Sequence, residues 1–150
     1  MSDLRELYQE VIMDHNRRPR NFRALDGASC SLEGFNPLCG DRITLDLKVE
    51  DDTITDIGFL GSGCAISKAS ASLMTETLKG KKVAEAEDIF ESFHDMLTKD
   101  DKSDLDEDKL GDLSVLAGVA QFPTRIKCAV LAWHTLRAAL RGQREAVSTE

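Results

Sequence analysis

Three short segments place a cysteine where a packed core does not require one. In Asn36-Pro37-Leu38-Cys39-Gly40-Asp41, a tight turn, Gly40 lets two side chains two positions apart converge on one point, so a thiolate and a carboxylate form half of a tetrahedral metal site. Gly61-Ser62-Gly63 precedes Cys64, which the glycines expose near the start of a helix, where unpaired N–H groups and the helix dipole stabilise a thiolate. Cys128 follows Pro123 in the first turns of a last helix and lies off the apolar stripe of Ile126, Val130 and Trp133, so burial is not expected to account for it. Three thiolates and one carboxylate are a credible zinc set, because zinc accepts mixed sulfur and oxygen ligands in tetrahedral geometry. The same donors suit an iron-sulfur cluster, made more labile by its one non-sulfur ligand. Ligand chemistry alone leaves the metal open.

The remaining candidates read as structural. Cys30, Cys39, Cys64 and Cys128 stand 9, 25 and 64 positions apart, so no local C-x-x-C pair exists and a shared site must be assembled by the fold. Cys30, in Ala28-Ser29-Cys30-Ser31-Leu32, has neither a glycine turn nor a neighbouring acid and reads as strand packing. His15 is expected to cap the end of the first helix, and His94 and His134 have no recognisable catalytic context. Asp104, Asp106 and Asp108 suggest a calcium loop, but Lys109 stands where that loop needs glycine and Val115 where it needs a bidentate glutamate.

These groups are positioned by elements that periodicity makes visible. Leu4, Leu7, Tyr8, Val11 and Ile12 mark an amphipathic first helix behind Ser2 or Asp3, ended by Asn16 to Asn21 with Pro19. Ile43, Leu45, Leu47 and Val49 alternate with polar residues as a half-buried strand. Asp51-Asp52 turns into Thr53 to Leu60, where Ile54, Ile57 and Phe59 break phase once, as in a bulged hairpin partner. Residues 28 to 36 supply a third strand. Ala65 to Ser72 holds six Ala or Ser residues, which permit close helix approach, and Gly80 stops that helix. Ala86, Ile89, Phe90, Phe93 and Leu97 mark another helix, Asp100 to Asp112 with seven acids is expected as a solvated loop, and a last helix runs from Thr124 to Arg141. The expectation is an α+β fold: a small, mostly antiparallel three-stranded sheet with several helices packed on one side. Residues 1–150 form one domain in this reading, with an acidic helical or loop segment at 81–122 and a flexible tail at 143–150.

Composition narrows the partners. Of 150 residues 41% are apolar, enough for an ordinary core, and 27 acids against 19 bases leave a net charge of −8, which argues against nucleic acid or an anionic membrane as partner. No basic stretch followed by an apolar one opens the chain, and no apolar run approaches the roughly 20 residues of a membrane span. A cytoplasmic protein with reduced thiols is expected.

The three cysteine segments, Asn36-Pro37-Leu38-Cys39-Gly40-Asp41, Gly61-Ser62-Gly63-Cys64-Ala65-Ile66-Ser67 with Ala69-Ser70, and Arg125-Ile126-Lys127-Cys128, occur in the order and at the intervals of the U-type iron-sulfur assembly proteins. The chain resembles that IscU/NifU N-terminal family over nearly its whole length, with an opening Leu7-Tyr8 helix of the same kind. The resemblance implies a SufE/IscU-like fold. Two features resemble the SufU-type branch: Lys127 stands where scaffold members carry histidine, and the segment 81–122 is longer than theirs. That branch implies a zinc-dependent sulfurtransferase, with one zinc per chain held by Cys39, Asp41, Cys64 and Cys128 and with Cys39 as persulfide acceptor. It further implies Arg125 and Lys127 flanking the site, a SufS-type pyridoxal-phosphate cysteine desulfurase as sulfur donor, and a downstream iron-sulfur scaffold or other sulfur acceptor. The alternative implied by the wider family is a scaffold that assembles and transfers a labile [2Fe-2S] cluster.

Overall fold

In the computed structural model, which describes residues 2–100 and 106–149, α1 (Ser2–Arg17) leads into three antiparallel strands, β1 (Cys30–Asn36), β2 (Asp41–Glu50) and β3 (Thr53–Ser62). The alternation read in β2 sends Ile43, Leu45 and Leu47 inward, at 5%, 0% and 0% exposure. Each faces an inward residue across the sheet: Leu45 lies between Leu32 and Phe59, and Leu47 between Cys30 and Ile57. A register shift at Lys48/Val49 gives β3 one extra residue, so that both Ile54 and Ile57 face the core. The β2–β3 connection is the two residues Asp51 and Asp52, both at positive φ (50° and 61°), a conformation that Asp tolerates and that matches the twist of a hairpin.

Helices α2 (Ala65–Leu78), α3 (Val83–Thr98), α4 (Glu107–Leu110) and α5 (Pro123–Leu140) follow, with a 3-10 stretch over Gly111–Gln121 before α5. The small residues of α2 act as expected. Ser70 donates to Ala129 O of α5 at 2.5 Å and accepts the Trp133 indole N–H at 3.2 Å, while Ser72 meets His15 of α1 at 2.7 Å. Trp133, fully buried, stacks on Phe93 with ring centres 4.6 Å apart and closes α5 against α3. The crossing of α5 over β1 is tightest at Gly34, where a Cβ would run into Thr135 Oγ1 and lie 3.2 Å from Leu131 Cδ1.

Four differences from the sequence reading have physical causes. The sheet has four strands in the order β3-β2-β1-β4 and is mixed, not three-stranded: β4 (Val147–Ser148) lies parallel to Gly34 and Phe35 of β1, inside the stretch expected as a flexible tail. Two residues cannot display a period of two. The second half of the expected acidic loop is helical and packed. Leu110, Leu113, Leu116 and Val119, each three positions from the last, are all buried, one face of a helix with three residues per turn. Residues 101–105, including Asp104 of the rejected calcium loop, lie outside the described residues. His15 does not cap its helix toward solvent; it is 4% exposed, and burial first, then the Arg20 charge, hold its pKa below the usual value. Finally, α5 has no single apolar stripe. It is buried on most sides, and Cys128 is 0% exposed.

Candidate metal centre

The cysteine segments meet where β1 turns into β2. Asn36 pairs with Asp41 across the hairpin mouth, and the four residues between them form a turn closed by Gly40 N–H donating to Asn36 O at 2.9 Å, with Gly40 at φ 74°. The Asn36 side chain shapes the same turn, its Oδ1 accepting Leu38 N–H at 3.3 Å. Cys39 is thereby held outward and exposed, while Asp41, two residues on, is 0% exposed.

One ligand atom each from Cys39, Asp41 and Cys128 lies within 4.8 Å of the others. The Cys128 thiol donates to Cys39 Sγ at 3.3 Å. Asp41 Oδ1 accepts the Cys64 backbone N–H at 2.9 Å, and its Oδ2 accepts Asn36 Nδ2 at 3.1 Å. Neither oxygen has an ion-pair partner among the described residues. A buried carboxylate beside two sulfurs, with no neutralising cation of its own, is a donor set that a divalent metal fits. The thiol of Cys128 shows the same imbalance: burial pushes its pKa well up, and Cys39, Asp41 and Cys64 add to the effect. A bound cation reverses both costs.

Cys64 stands beside the cluster. Its sulfur caps α2, accepting Ser67 N–H at 3.5 Å, and it is outside the group of mutually close ligand atoms. The preceding Gly63 is at φ 152°, and a Cβ there would run into Asp41 Oδ1 and lie 3.0 Å from Asp41 Cα, so the glycine is what lets the two segments touch. Arg125, exposed in the first turn of α5, is held firmly protonated by the charge of Cys64 first and by a hydrogen bond with Cys128 second. The Lys127 side chain is exposed and makes no hydrogen bond or ion pair with the described residues. Cys30 lies at the far end of β1, about 20 Å of strand from Asn36, its thiol facing Ala139 O at 3.7 Å. His94 and His134 pack edge-on with Phe90 between α3 and α5, away from the cluster.

Asn36 is the site residue that the sequence reading did not assign. Fully buried, it donates to Asp41 and lies 3.6 Å from Cys128 Sγ, so one amide orients two candidate ligands. An asparagine before proline signals a turn, and here that turn and the site share one side chain.

Residues 7–129 match the family described as NifU-like N terminal domain. The chain is 43% identical over 141 residues to an iron-sulfur cluster assembly scaffold protein IscU of Streptococcus pyogenes serotype M1, spanning 94% of this chain and 87% of that protein. It is 44% identical over 135 residues to the zinc-dependent sulfurtransferase SufU of Bacillus subtilis (strain 168), spanning 90% of each. The crystal structure of a putative SUF-system iron-sulfur cluster assembly scaffold protein from Fervidobacterium islandicum AW-1 superposes with a TM-score of 0.82 at 36% identity, covering 87% of this chain and 94% of that one.

Proposed function

This chain belongs to the family of NifU-like N-terminal domains, and from that premise we propose that it accepts persulfide sulfur at Cys39 for iron-sulfur cluster assembly, with zinc held by Cys39, Asp41, Cys64 and Cys128 between transfers. The observation that carries this reading is the contrast in exposure inside one donor cluster. Asp41 and Cys128 are wholly buried and fixed by hydrogen bonds, whereas Cys39 is exposed on a turn. A purely structural metal site has no use for an accessible sulfur; a transfer site requires one. Lys127 supports the same reading, since it faces solvent where a ligating histidine would be needed for the scaffold arrangement.

Zinc bound to these donors would keep the sulfurs as thiolates and protect them between encounters. When the donor docks, Cys39 Sγ attacks the outer sulfur of the persulfide on a SufS-type pyridoxal-phosphate cysteine desulfurase. The sulfur-sulfur bond of the donor breaks, its cysteine leaves as a thiolate, and Cys39 carries the terminal sulfur onward to an iron-sulfur scaffold or other acceptor. Asn36 and the Cys64 N–H hold Asp41 in place through the exchange. Arg125, at the rim beside Cys64 and Cys128, offers a cation to the incoming anionic sulfur.

The test is sulfide release by the cognate desulfurase, with elemental analysis of the purified chain. About one zinc per chain and strong stimulation, abolished in Cys39→Ala, is the expected result; full stimulation by Cys39→Ala would overturn the acceptor role. A second reading, a scaffold for a [2Fe-2S] cluster, is favoured by the relatives named as scaffolds and by the sulfur-rich donor set. Anaerobic reconstitution separates the two, a transferable cluster at stoichiometric yield with no stimulation supporting the scaffold.

A further inference from the structure

The two sulfurs of the cluster that differ most in exposure are also in contact: Cys39 Sγ and Cys128 Sγ are 3.3 Å apart, about 1.3 Å more than a disulfide bond. One is open to solvent and the other fully buried. Cys64 is outside their close group and its sulfur is engaged as a helix cap, while Cys30 is at the opposite end of β1. Cys39–Cys128 is therefore the pair in direct sulfur-sulfur contact, with Cys64 the competing neighbour of Cys128.

We infer that the metal-free chain is a redox switch in which a hydroperoxide oxidises Cys39 and Cys128 resolves it, giving a Cys39–Cys128 disulfide that removes both sulfurs from metal binding. The chemistry balances in two steps. Cys39 thiolate attacks the peroxide, the O–O bond breaks, and Cys39 becomes a sulfenic acid as hydroxide leaves. The Cys128 thiol then attacks that sulfur, the S–O bond breaks, and water carries away the oxygen with the Cys128 proton. Two sulfurs are each oxidised by one electron and the peroxide is reduced by two. Cys128 is shielded from peroxide by burial, so oxidation starts at Cys39 and stops at the disulfide before the irreversible acids form. A metal held by both sulfurs closes this route, which makes metal loss the trigger. The inference rests on the contact between the two sulfurs and not on sulfur transfer, so it stands or falls separately from the proposed function.

The experiment uses the full chain, stripped of metal with a chelator and treated with hydrogen peroxide. Alkylation followed by intact mass is expected to show loss of two of the four thiols and a single intramolecular link between the Cys39 and Cys128 peptides, reversed by dithiothreitol. The Cys128→Ser variant should instead accumulate Cys39 sulfenic acid, trapped by dimedone. Zinc-loaded chain should react at least about tenfold more slowly. A guanidinium-unfolded control fixes the pattern of unguided pairing. The inference is overturned if the stripped chain gives that unguided pattern, if the link involves Cys64 or Cys30, or if dimedone labels Cys39 equally with Cys128 present.

Discussion

Removing the Asp41 carboxylate separates a metal ligand from a structural acid. In the metal-free chain Asp41→Ala leaves the part-buried Cys64 N–H without its acceptor and the buried Asn36 Nδ2 with only its long contact to Cys128 Sγ at 3.6 Å. A lost acceptor costs about 1–3 kcal/mol and a partly replaced one less, so the metal-free variant should lose about 2–4 kcal/mol of stability. Asp41→Asn retains an oxygen for Cys64 N–H and discards an unneutralised buried charge, at the expense of one amide facing the Asn36 amide; its metal-free loss should stay near about 1 kcal/mol. With zinc present both variants lose a further contribution. Loss of outer-sphere partners already weakens metal affinity by about 10–100-fold, and a ligand should reach the upper end, equivalent to about 2.7 kcal/mol of metal-linked stability at fixed free zinc. Urea unfolding with and without zinc, read beside chelator competition, measures both quantities. Both variants should lose at least that much of the zinc-dependent gain while differing in the metal-free baseline. Undiminished zinc affinity and an unchanged zinc-dependent gain in Asp41→Asn would refute the assignment of Asp41 as a ligand.

Three further outcomes test the frame around the site. His15 and His134 both have lowered pKa values, by burial first and then by Arg20 for His15 and by His94 and Arg137 for His134. A histidine held neutral in the fold contributes stability that is complete above its unfolded value, about 6.5, and is lost as pH falls from there through the folded value. The urea midpoint of the metal-free chain should accordingly fall below pH 6.5, with a shallower fall in His15→Gln. Gly34→Ala drives a methyl into Thr135 Oγ1 and should cost about 1–3 kcal/mol by thermal unfolding, partly restored by adding Thr135→Ala. Leu116→Ala should cost about 2–5 kcal/mol in urea unfolding, as expected of a fully buried core leucine.

The opening of the chain, the bulged β2–β3 pair and the small-residue helix were legible because each repeats a pattern over several residues. Ile43, Leu45 and Leu47 mark one sheet face, and the phase break from Ile54 to Ile57 corresponds to a real register shift. Leu110, Leu113, Leu116 and Val119 also carried a signal, but a spacing of three belongs to the 3-10 helix, and only Leu110 of this row falls within 100–112, where the seven acids favoured a loop. The two-residue β4 left no pattern to read.

At the site, the glycines beside Cys39, Asp41 and Cys64 marked those residues as candidates in the local sequence, whereas Cys128 was marked only by its place off an apolar stripe that α5 does not have; of the four, Cys39, Asp41 and Cys128 come together in the structure. Which sulfur is accessible and which is sealed is a different kind of property. Cys128 becomes buried because α5 is enclosed by the sheet and its neighbouring helices, Asn36 becomes a site residue because β1 and β2 pair at that register, and Cys64 lends Asp41 its backbone while its sulfur caps a helix. Those roles arise from contacts between segments 5 to 92 positions apart, of which the residues at either end carry no local trace.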